Sequence, residues 1–487
     1  MRNLSDEAKS AAFWWLEQYA HAVAHRAPQP QPDARQLWAL YRLGMYSRVA
    51  VAEPRDDRWR GQFARAASLA ACGDIERAEL VSRRLLASRA LGRRAPAFLQ
   101  ALAAFAPALA ERFREQAELP AASLLPAALA VRLGDDDQAR HRLAAWRSAN
   151  AQTPPEYHLL AGHLHGTSPE EQLAAMNAFL GASGLARVAL RDPQAPAGVM
   201  NLCAAGELPG VEGPLVTVLM TTFRSGARAE QAIRSLLAQS YRNLEIIVVD
   251  DASPDDTFVR LEAMAEEDSR LRCLRLPGNA GTYVAKSTGL RHARGEFVTC
   301  HDSDDWSHPE KIARQVQPLL ADPKLVATTS QWVRLQDDGR YYVRQVLPFS
   351  RLNPSSPLFR RERVLSAMGA WDLVRTGADS EFLSRLKLVF GRRAVKRLIE
   401  PLAFGAHRND SLMTAKETGH LDNAVSPVRL AYWEAWNDWH IASIRRGEPL
   451  RMPLEMTAER RFEAPPEIQV APDVIERAAE ALLPVPG

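Results

Sequence analysis

The sequence predicts an α/β domain built on a parallel sheet, preceded by an all-α region and followed by a helical extension. Three observations carry this expectation. From Leu215 onward, short apolar runs rich in β-branched residues alternate with segments of helical periodicity. Before residue 195 such runs are nearly absent and apolar residues recur at helical spacing, as in "RAELVSRRLLASRAL". Between the two textures lie the Pro/Gly-rich stretches "RDPQAPAG" and "GELPGVEGP". A chain of 487 residues is also too long for one ordinary core. The expected division is a helical domain 1–195, a linker 196–214, an α/β domain 215–415 and a C-terminal helical extension 416–487.

In the helical region two stretches resemble each other, "LAACGDIERAELVSRRLLA" from Leu69 and "LAVRLGDDDQARHRLAAW" from Leu129. In Gly73–Ala78 and Gly134–Ala139 the glycine suits a tight inter-helix turn and the alanine allows close helix packing. The pattern resembles tetratricopeptide-type helical hairpins, and an irregular bundle fits it equally. No chemistry-bearing cluster lies here. The region is expected to dock a protein partner, oligomerise or recruit an acceptor.

Composition is that of an ordinary globular protein, 46% apolar and 24% charged. A net charge of +3 is too small to argue for a nucleic-acid partner. Cys72, Cys203, Cys273 and Cys300 form no CxxC pair, so reduced and mostly buried thiols are expected. The N-terminus carries charges and no long apolar core, and no window approaches the roughly 20 apolar residues of a spanning helix. The expected location is the cytoplasm, with room for peripheral contact at the inner face of the membrane.

The α/β elements follow in order: "LVTVLMTTF", "RAEQAIRSLLAQS", "LEIIVVDD", "DDTFVRLEAMAEE", "LRCLRLP", "TYVAKSTGLRHA", "EFVTCHD" and "HPEKIARQVQPLLA". Ligands of open α/β sheets bind outside the carboxyl ends of the strands. Polar, acidic or glycine-rich residues follow each strand here: Arg224–Gly226, Asp250–Asp251, Gly278–Gly281 and Asp302–Asp305. Ser253 with Pro254 and Asp256 reads as a helix start, as does Ser307 with Pro309 and Glu310. That accounting leaves Asp250, Asp251, Asp302, Asp304 and Asp305 without a structural duty.

Asp302 and Asp304 lie two apart at a strand end, so an extended backbone projects them from one side. Hard oxygen ligands of this kind suit Mg²⁺ or Mn²⁺ shared with substrate phosphates. An EF-hand fails, because Trp306 occupies the third ligand position and Ser307 stands where glycine is needed. A solvated acidic loop is the bland alternative; the acids one strand over weigh against it.

With these residues in place, segment 215–415 resembles a family 2 glycosyltransferase of the GT-A fold, a Rossmann-like nucleotide-diphospho-sugar transferase. "VTVLMTTFRSG", "LEIIVVDDASPDDT", "GNAGTYVAKSTGL" and "HDSDDW" match the family's motifs in order and spacing. The resemblance implies the following roles. Thr221, Phe223 and Arg224 contact the nucleotide, and Asp250 accepts from the base. Asp251 serves the ribose or holds the loop. Asn279 and Gly281 belong to the donor-binding segment, and Lys286 meets phosphate charge; Ser287 departs from the usual Asn. Asp302 and Ser303 touch the donor or metal, and Asp304 is the main ligand of Mn²⁺ or Mg²⁺. In "TGADSEFLSRL", Asp379 stands where the family has its catalytic base, with Ala378 replacing a Glu and Glu381 as a rival. Thr376-x-x-Asp379 also reads as a helix-capping box. In "FGAHRNDSLM", His407 could complete the metal shell.

The implied activity is metal-dependent, inverting transfer of a sugar from a nucleotide-sugar donor, with UDP as the guess. The acceptor would be a saccharide, lipid-linked or protein hydroxyl, in polysaccharide or glycoconjugate biosynthesis. A sugar-1-phosphate nucleotidyltransferase needs more glycine than "TTFRSGAR" offers. A catalytically weak transferase-like adaptor, acting through its helices, is the alternative. Trp433, Trp436 and Trp439 form a stripe that reads first as core and second as a membrane-interface contact.

Overall fold

The computed structural model describes residues 5–27, 29–165, 168–408, 418–419, 421 and 423–481. Among the described residues fourteen short helical segments, twelve α and two 3-10, run from Asp6–Trp15 to Pro169–Ala182. The two related stretches fold as hairpins of one construction. Gly73 (φ +84°) and Gly134 (φ +78°) turn the chain in the left-handed region, where glycine carries no Cβ penalty. The following aspartates cap the second helices: Asp74 accepts from the Arg77 N–H at 3.1 Å and Asp135 from the Gln138 N–H at 3.0 Å. Ala78 and Ala139 are fully buried at the helix crossings.

A two-stranded ribbon, β1 (Val188–Leu190) with β2 (Leu202–Ala204), leads into the main sheet. The main sheet holds β3 (Val216–Thr222), β4 (Leu244–Asp250), β5 (Leu271–Arg275), β6 (Phe297–Asp302), β7 (Trp306–Ser307), β8 (Ala327–Leu335), β9 (Arg351–Leu352), β10 (Leu358–Arg360) and β11 (Val395–Ala406). Their order is β5-β4-β3-β6-β10-β8-β11-β7, with β9 on the edge of β8. The first four run parallel, as the sequence predicts. The sheet as a whole is mixed, a correction to the parallel expectation: β10 runs antiparallel to both β6 and β8, and β7 antiparallel to β11. Short hairpin-like pieces after residue 335 escape sequence patterning because too few residues alternate.

Every residue of β3 and β4 is buried, as a parallel sheet covered on both faces requires. Alternation divides them. Val216, Val218 and Met220 pack with Ile246 and Val248 against the helices Gly226–Leu237 and Lys311–Ala321. Leu219, Ile247 and Val249 face the helices Thr282–Arg291 and Ala378–Phe390.

The helical region shares a core with the far end of this sheet. One apolar cluster runs from Phe63, Phe98 and Leu129 through Phe179 to Trp306, Val333 and Phe404. The segment expected as a linker is packed, not a free tether: Ala197, Val199 and Leu202 are buried in the same cluster. The helix Pro427–Arg446 bridges the two ends of the chain. Its Trp436 is buried, Trp439 stacks on Phe462 at 5.5 Å, and Glu434 accepts from the Ser47 N–H at 2.9 Å. The tryptophan stripe is therefore core. Cys300 is buried, but Cys72 is exposed, against the expectation of mostly buried thiols. Among the described residues no helix is long and apolar enough to cross a membrane.

Candidate active site

Strand register gathers the candidate residues. Thr222 lies beside Asp250, Asp250 beside Arg275, and Thr221 beside Asp302. The carboxyl ends of four strands thus meet at one edge, and the loops that leave them touch. Ser225 Oγ lies 3.1 Å from Ser303 Oγ, joining the first loop to the acidic turn. Phe223 is exposed at this edge, with the Arg224 guanidinium 5.9 Å from its ring. Thr221 is buried just behind it.

The acid pair after β4 serves the scaffold. Asp250 is fully enclosed and accepts from the Ser253 N–H at 2.9 Å and from the Ser253 hydroxyl. Arg275 Nε lies 3.5 Å from the same carboxylate, so Asp250 has a scaffold duty that the sequence reading did not assign. Ser253 is not a helix cap; the helix begins at Thr257, four residues later. Asp251 staples the glycine-rich loop: it accepts from the N–H groups of Ala280 (2.6 Å) and Gly281 (2.8 Å) and from Asn279 Nδ2 (3.0 Å). Burial pushes its pKa up to about 6, against the pull of those donors. Asn279 is held from its other side by Arg375 Nη1 at 2.7 Å. Gly281, at φ +86°, has no room for a side chain, since a Cβ would meet the Arg375 Cα at 2.9 Å.

Lys286 is the centre of the site. Its side chain is fully buried, and Nζ lies 3.0 and 3.2 Å from the two Asp379 oxygens and 3.8 Å from Asp302 Oδ1. Residues from three separate segments thus converge on one ammonium. Burial works against its charge, but Asp379 first, and then Asp302, outweigh it and hold the pKa well above the ordinary lysine value. The expectation that Lys286 reaches phosphate directly is corrected: it sits beneath the surface and orders two carboxylates. Ser287 is buried beside it, and its Oγ has no hydrogen-bond partner among the described residues.

Asp379 is not a capping residue. The helix Ala378–Phe390 starts after Gly377 at φ +97°, with no side-chain cap. The Asp379 N–H instead donates to Tyr283 Oη at 3.1 Å, which aims the carboxylate at Lys286. Burial raises its pKa, and Lys286 pulls the other way without cancelling that rise. Glu381 is corrected as a rival base. It is fully buried on the opposite side of the helix, where its oxygens accept from Arg385 (2.7 and 2.9 Å) and it lies 3.0 Å from His440 Nε2. Arg385 and His440 together outweigh burial and hold its pKa down to about 2.

In the acidic turn the three aspartates have three environments. Asp302 stays partly open, accepts from Ser355 Oγ at 3.1 Å and faces Lys286. Burial would raise its pKa, but Lys286 brings it below the ordinary value. Asp304 pairs with Arg408 at 3.1 Å, and burial keeps its pKa raised despite that partner. Asp305, which the sequence leaves unassigned, is a staple: Oδ1 accepts from the Ala406 N–H at 3.1 Å, tying the turn to β11. Burial and then the neighbouring acids Asp304 and Asp302 push its pKa well up. Ser307 lies in β7 and Glu310 accepts from the Ala186 N–H at 2.6 Å, so this helix start is also corrected; the helix begins at Lys311.

The donor set tests a divalent cation directly. Among the described residues no three His, Cys, Asp or Glu side chains come together as a metal cage. His407 stacks on Tyr342 with centroids 3.7 Å apart, so it does not join Asp302 and Asp304 as a third ligand. Two hard carboxylates on one turn remain, and Asp304 already accommodates a positive group, the Arg408 guanidinium. Such a pair fits Mg²⁺ or Mn²⁺ completed by diphosphate oxygens and water, not a dedicated protein cage. Tyr283, Ser355, Arg375 and Arg408 escaped sequence reading, because nothing in their local spacing marks them.

Comparison with known proteins finds similarity in sequence over part of this region. The family model described as glycosyl transferase family 2 matches residues 217–372. An uncharacterized glycosyltransferase of Haemophilus influenzae is 33% identical over 107 residues, 22% of this chain and 43% of its own length. A putative teichuronic acid biosynthesis glycosyltransferase of Bacillus subtilis, TuaG, is 33% identical over 107 residues, covering 22% of this chain and 42% of that protein. The chain spans less than half the length of these relatives. Among solved structures, S. aureus TarS 1–349 in complex with UDP-GlcNAc is 18% identical, covers 47% of this chain and 71% of that one, and has a TM-score of 0.36. Residues 217–372, about a third of the chain, are thus similar in sequence to the glycosyl transferase family 2 model.

Proposed function

We propose that the protein is an inverting glycosyltransferase that moves a sugar from a nucleoside-diphosphate donor to a hydroxyl acceptor, in polysaccharide or glycoconjugate assembly. The observation that carries this reading is the meeting of Asp379 and Asp302 on Lys286, at the carboxyl ends of the parallel strands. A base and a donor-side acid are brought together from positions far apart in the chain. The same names recur among the relatives, one of them in teichuronic acid biosynthesis.

In this reading the acceptor hydroxyl gives its proton to Asp379 as its oxygen bonds to the anomeric carbon. The bond from that carbon to the diphosphate oxygen breaks, and the nucleoside diphosphate leaves with the electron pair. Attack opposite the leaving group inverts the anomer. Tyr283 and Lys286 orient the carboxylate, and burial makes it a better proton acceptor than a solvated aspartate. Phe223 offers a stacking face for the base. Asp304 with Asp302 would hold Mn²⁺ or Mg²⁺, whose charge stabilises the departing diphosphate. UDP is the favoured nucleotide.

A thermal-shift panel of nucleotide sugars with Mn²⁺ tests the proposal, since a bound ligand raises apparent stability by mass action. A shift with one donor class, followed by release of its diphosphate in the presence of acceptor, is the expected result. No shift with any nucleotide sugar would overturn it.

A further inference from the structure

The helical region carries a surface with no duty in the site above. Trp14, near the end of the helix Asp6–Trp15, has the Arg35 guanidinium 5.5 Å and the Arg60 guanidinium 5.2 Å from its ring. Arg60 also lies 4.5 Å from the Trp59 ring, and Arg94 covers that ring at 4.9 Å. Arginine and indole thus alternate in a ladder drawn from four helical segments. Beside it, Trp15 packs edge-on against Trp14 at 5.3 Å and is 68% exposed, and Leu16 is 53% exposed.

The arginines of the ladder stack on indoles and make no ion pair among the described residues. Glu17, which follows Leu16, lies 3.5 Å from Arg392, and the other acids near in sequence also have partners. Asp33 pairs with Arg26 at 2.7 Å, Asp56 accepts from the Arg58 N–H at 3.1 Å, and Asp57 accepts from Gln62 at 2.9 Å. Asp6 and Glu7 stand at the other end of the first helix, roughly 12 Å along its axis. With three guanidinium groups and no ion pair among the described residues, the ladder itself is cationic on a chain of net charge only +3.

We infer that this patch docks the protein on an anionic lipid surface, with Trp15 and Leu16 entering the interface and Arg35, Arg60 and Arg94 meeting phosphate headgroups. Charge complementarity selects an anionic partner. The bare apolar tip selects a bilayer: tryptophan and leucine beside arginines are the side chains that settle at a membrane boundary. Guanidinium groups already lie over the rings of Trp14 and Trp59. The inference does not depend on the transferase reading.

Flotation of the full-length protein with mixed phosphatidylglycerol–phosphatidylcholine vesicles, against pure phosphatidylcholine, tests it. Binding only to the anionic vesicles, weakened by added salt and reduced about tenfold or more in a Trp15→Ala/Leu16→Ser variant, is the expected result. An Arg35→Ala/Arg94→Ala variant should lose the preference for anionic vesicles. Trp15 and Leu16 are exposed, so their replacement leaves the fold intact, which an unchanged Tm verifies. Equal binding by the wild type and both variants would overturn the assignment. So would an absence of binding to any vesicle, or retention on an immobilised acidic polysaccharide without vesicle binding.

Discussion

Asp379 and Glu381 stand two residues apart on one helix and live in different worlds. At 100° per residue they point about 200° apart around the axis. Asp379 turns toward the sheet edge, where it meets Lys286 and Tyr283. Glu381 turns toward the helix Pro427–Arg446, where Arg385 and His440 enclose it. Burial acts on both. One strong partner against a like-charged neighbour, Asp302, leaves Asp379 with a raised pKa. Two partners, Arg385 and His440, carry Glu381 down to about 2 against its burial. The lesson is that a carboxylate's role follows from the face it occupies and the partners there, more than from its place in a motif.

The comparison can be broken most directly at Asp379. Asp379→Asn should lower transfer by about 10²–10⁴-fold, the usual weight of a general base, while nucleotide binding survives. Retained turnover would remove the base assignment. A pH profile sharpens the same point. The base acts ionised, so activity should fall as pH drops through a pKa higher than that of a free aspartate.

Glu381→Gln should do the reverse. It leaves Arg385 buried without its counter-ion, at a cost of about 3–5 kcal/mol in stability read by denaturant unfolding. The molecules still folded should transfer sugar normally. The sign of its pH dependence is also set. A folded pKa depressed to about 2 gives stability that is full above the unfolded value and is lost as pH falls toward 2.

On the donor side, Asp304→Asn should weaken the joint binding of Mn²⁺ and UDP about 10–100-fold in calorimetry, the scale of one charged contact. Affinity that does not change would sink the metal reading. Gly281→Ala is the mildest test, costing roughly 1–3 kcal/mol from its positive φ and its crowding against the Arg375 backbone. It should raise the KM for the donor more than it lowers kcat, because it loosens the Asn279 loop and leaves Asp379 alone. An equal effect on both would couple that loop to the base.

Much of the fold was legible beforehand. Continuous apolar runs marked β3 to β6, and Gly73 and Gly134 marked two hairpin turns, because strand burial and positive φ leave signatures within a few residues. The acidic turn was legible from its local spacing, whereas Asp379 was marked only by the resemblance to the family's motif. Three helix starts were misread, at Ser253, Ser307 and Thr376, because polar residues near a helix entrance can cap it or do other work. Here Ser253 serves Asp250, Ser307 sits in β7, and Gly377 opens the helix that carries Asp379.

By itself the sequence determined which chemistry is available: carboxylates at strand ends, a glycine that frees a loop, a lysine within the helix that follows it. These are local properties, written in spacing and side-chain type. Only the tertiary structure decided who partners whom. That Lys286 lies beneath Asp379, that Asp305 ties the acidic turn to β11, and that Arg408 answers Asp304 are contacts across 93, 101 and 104 positions of chain. Electrostatic partnership acts over a few ångströms in space, and no local pattern encodes which distant segment will arrive there.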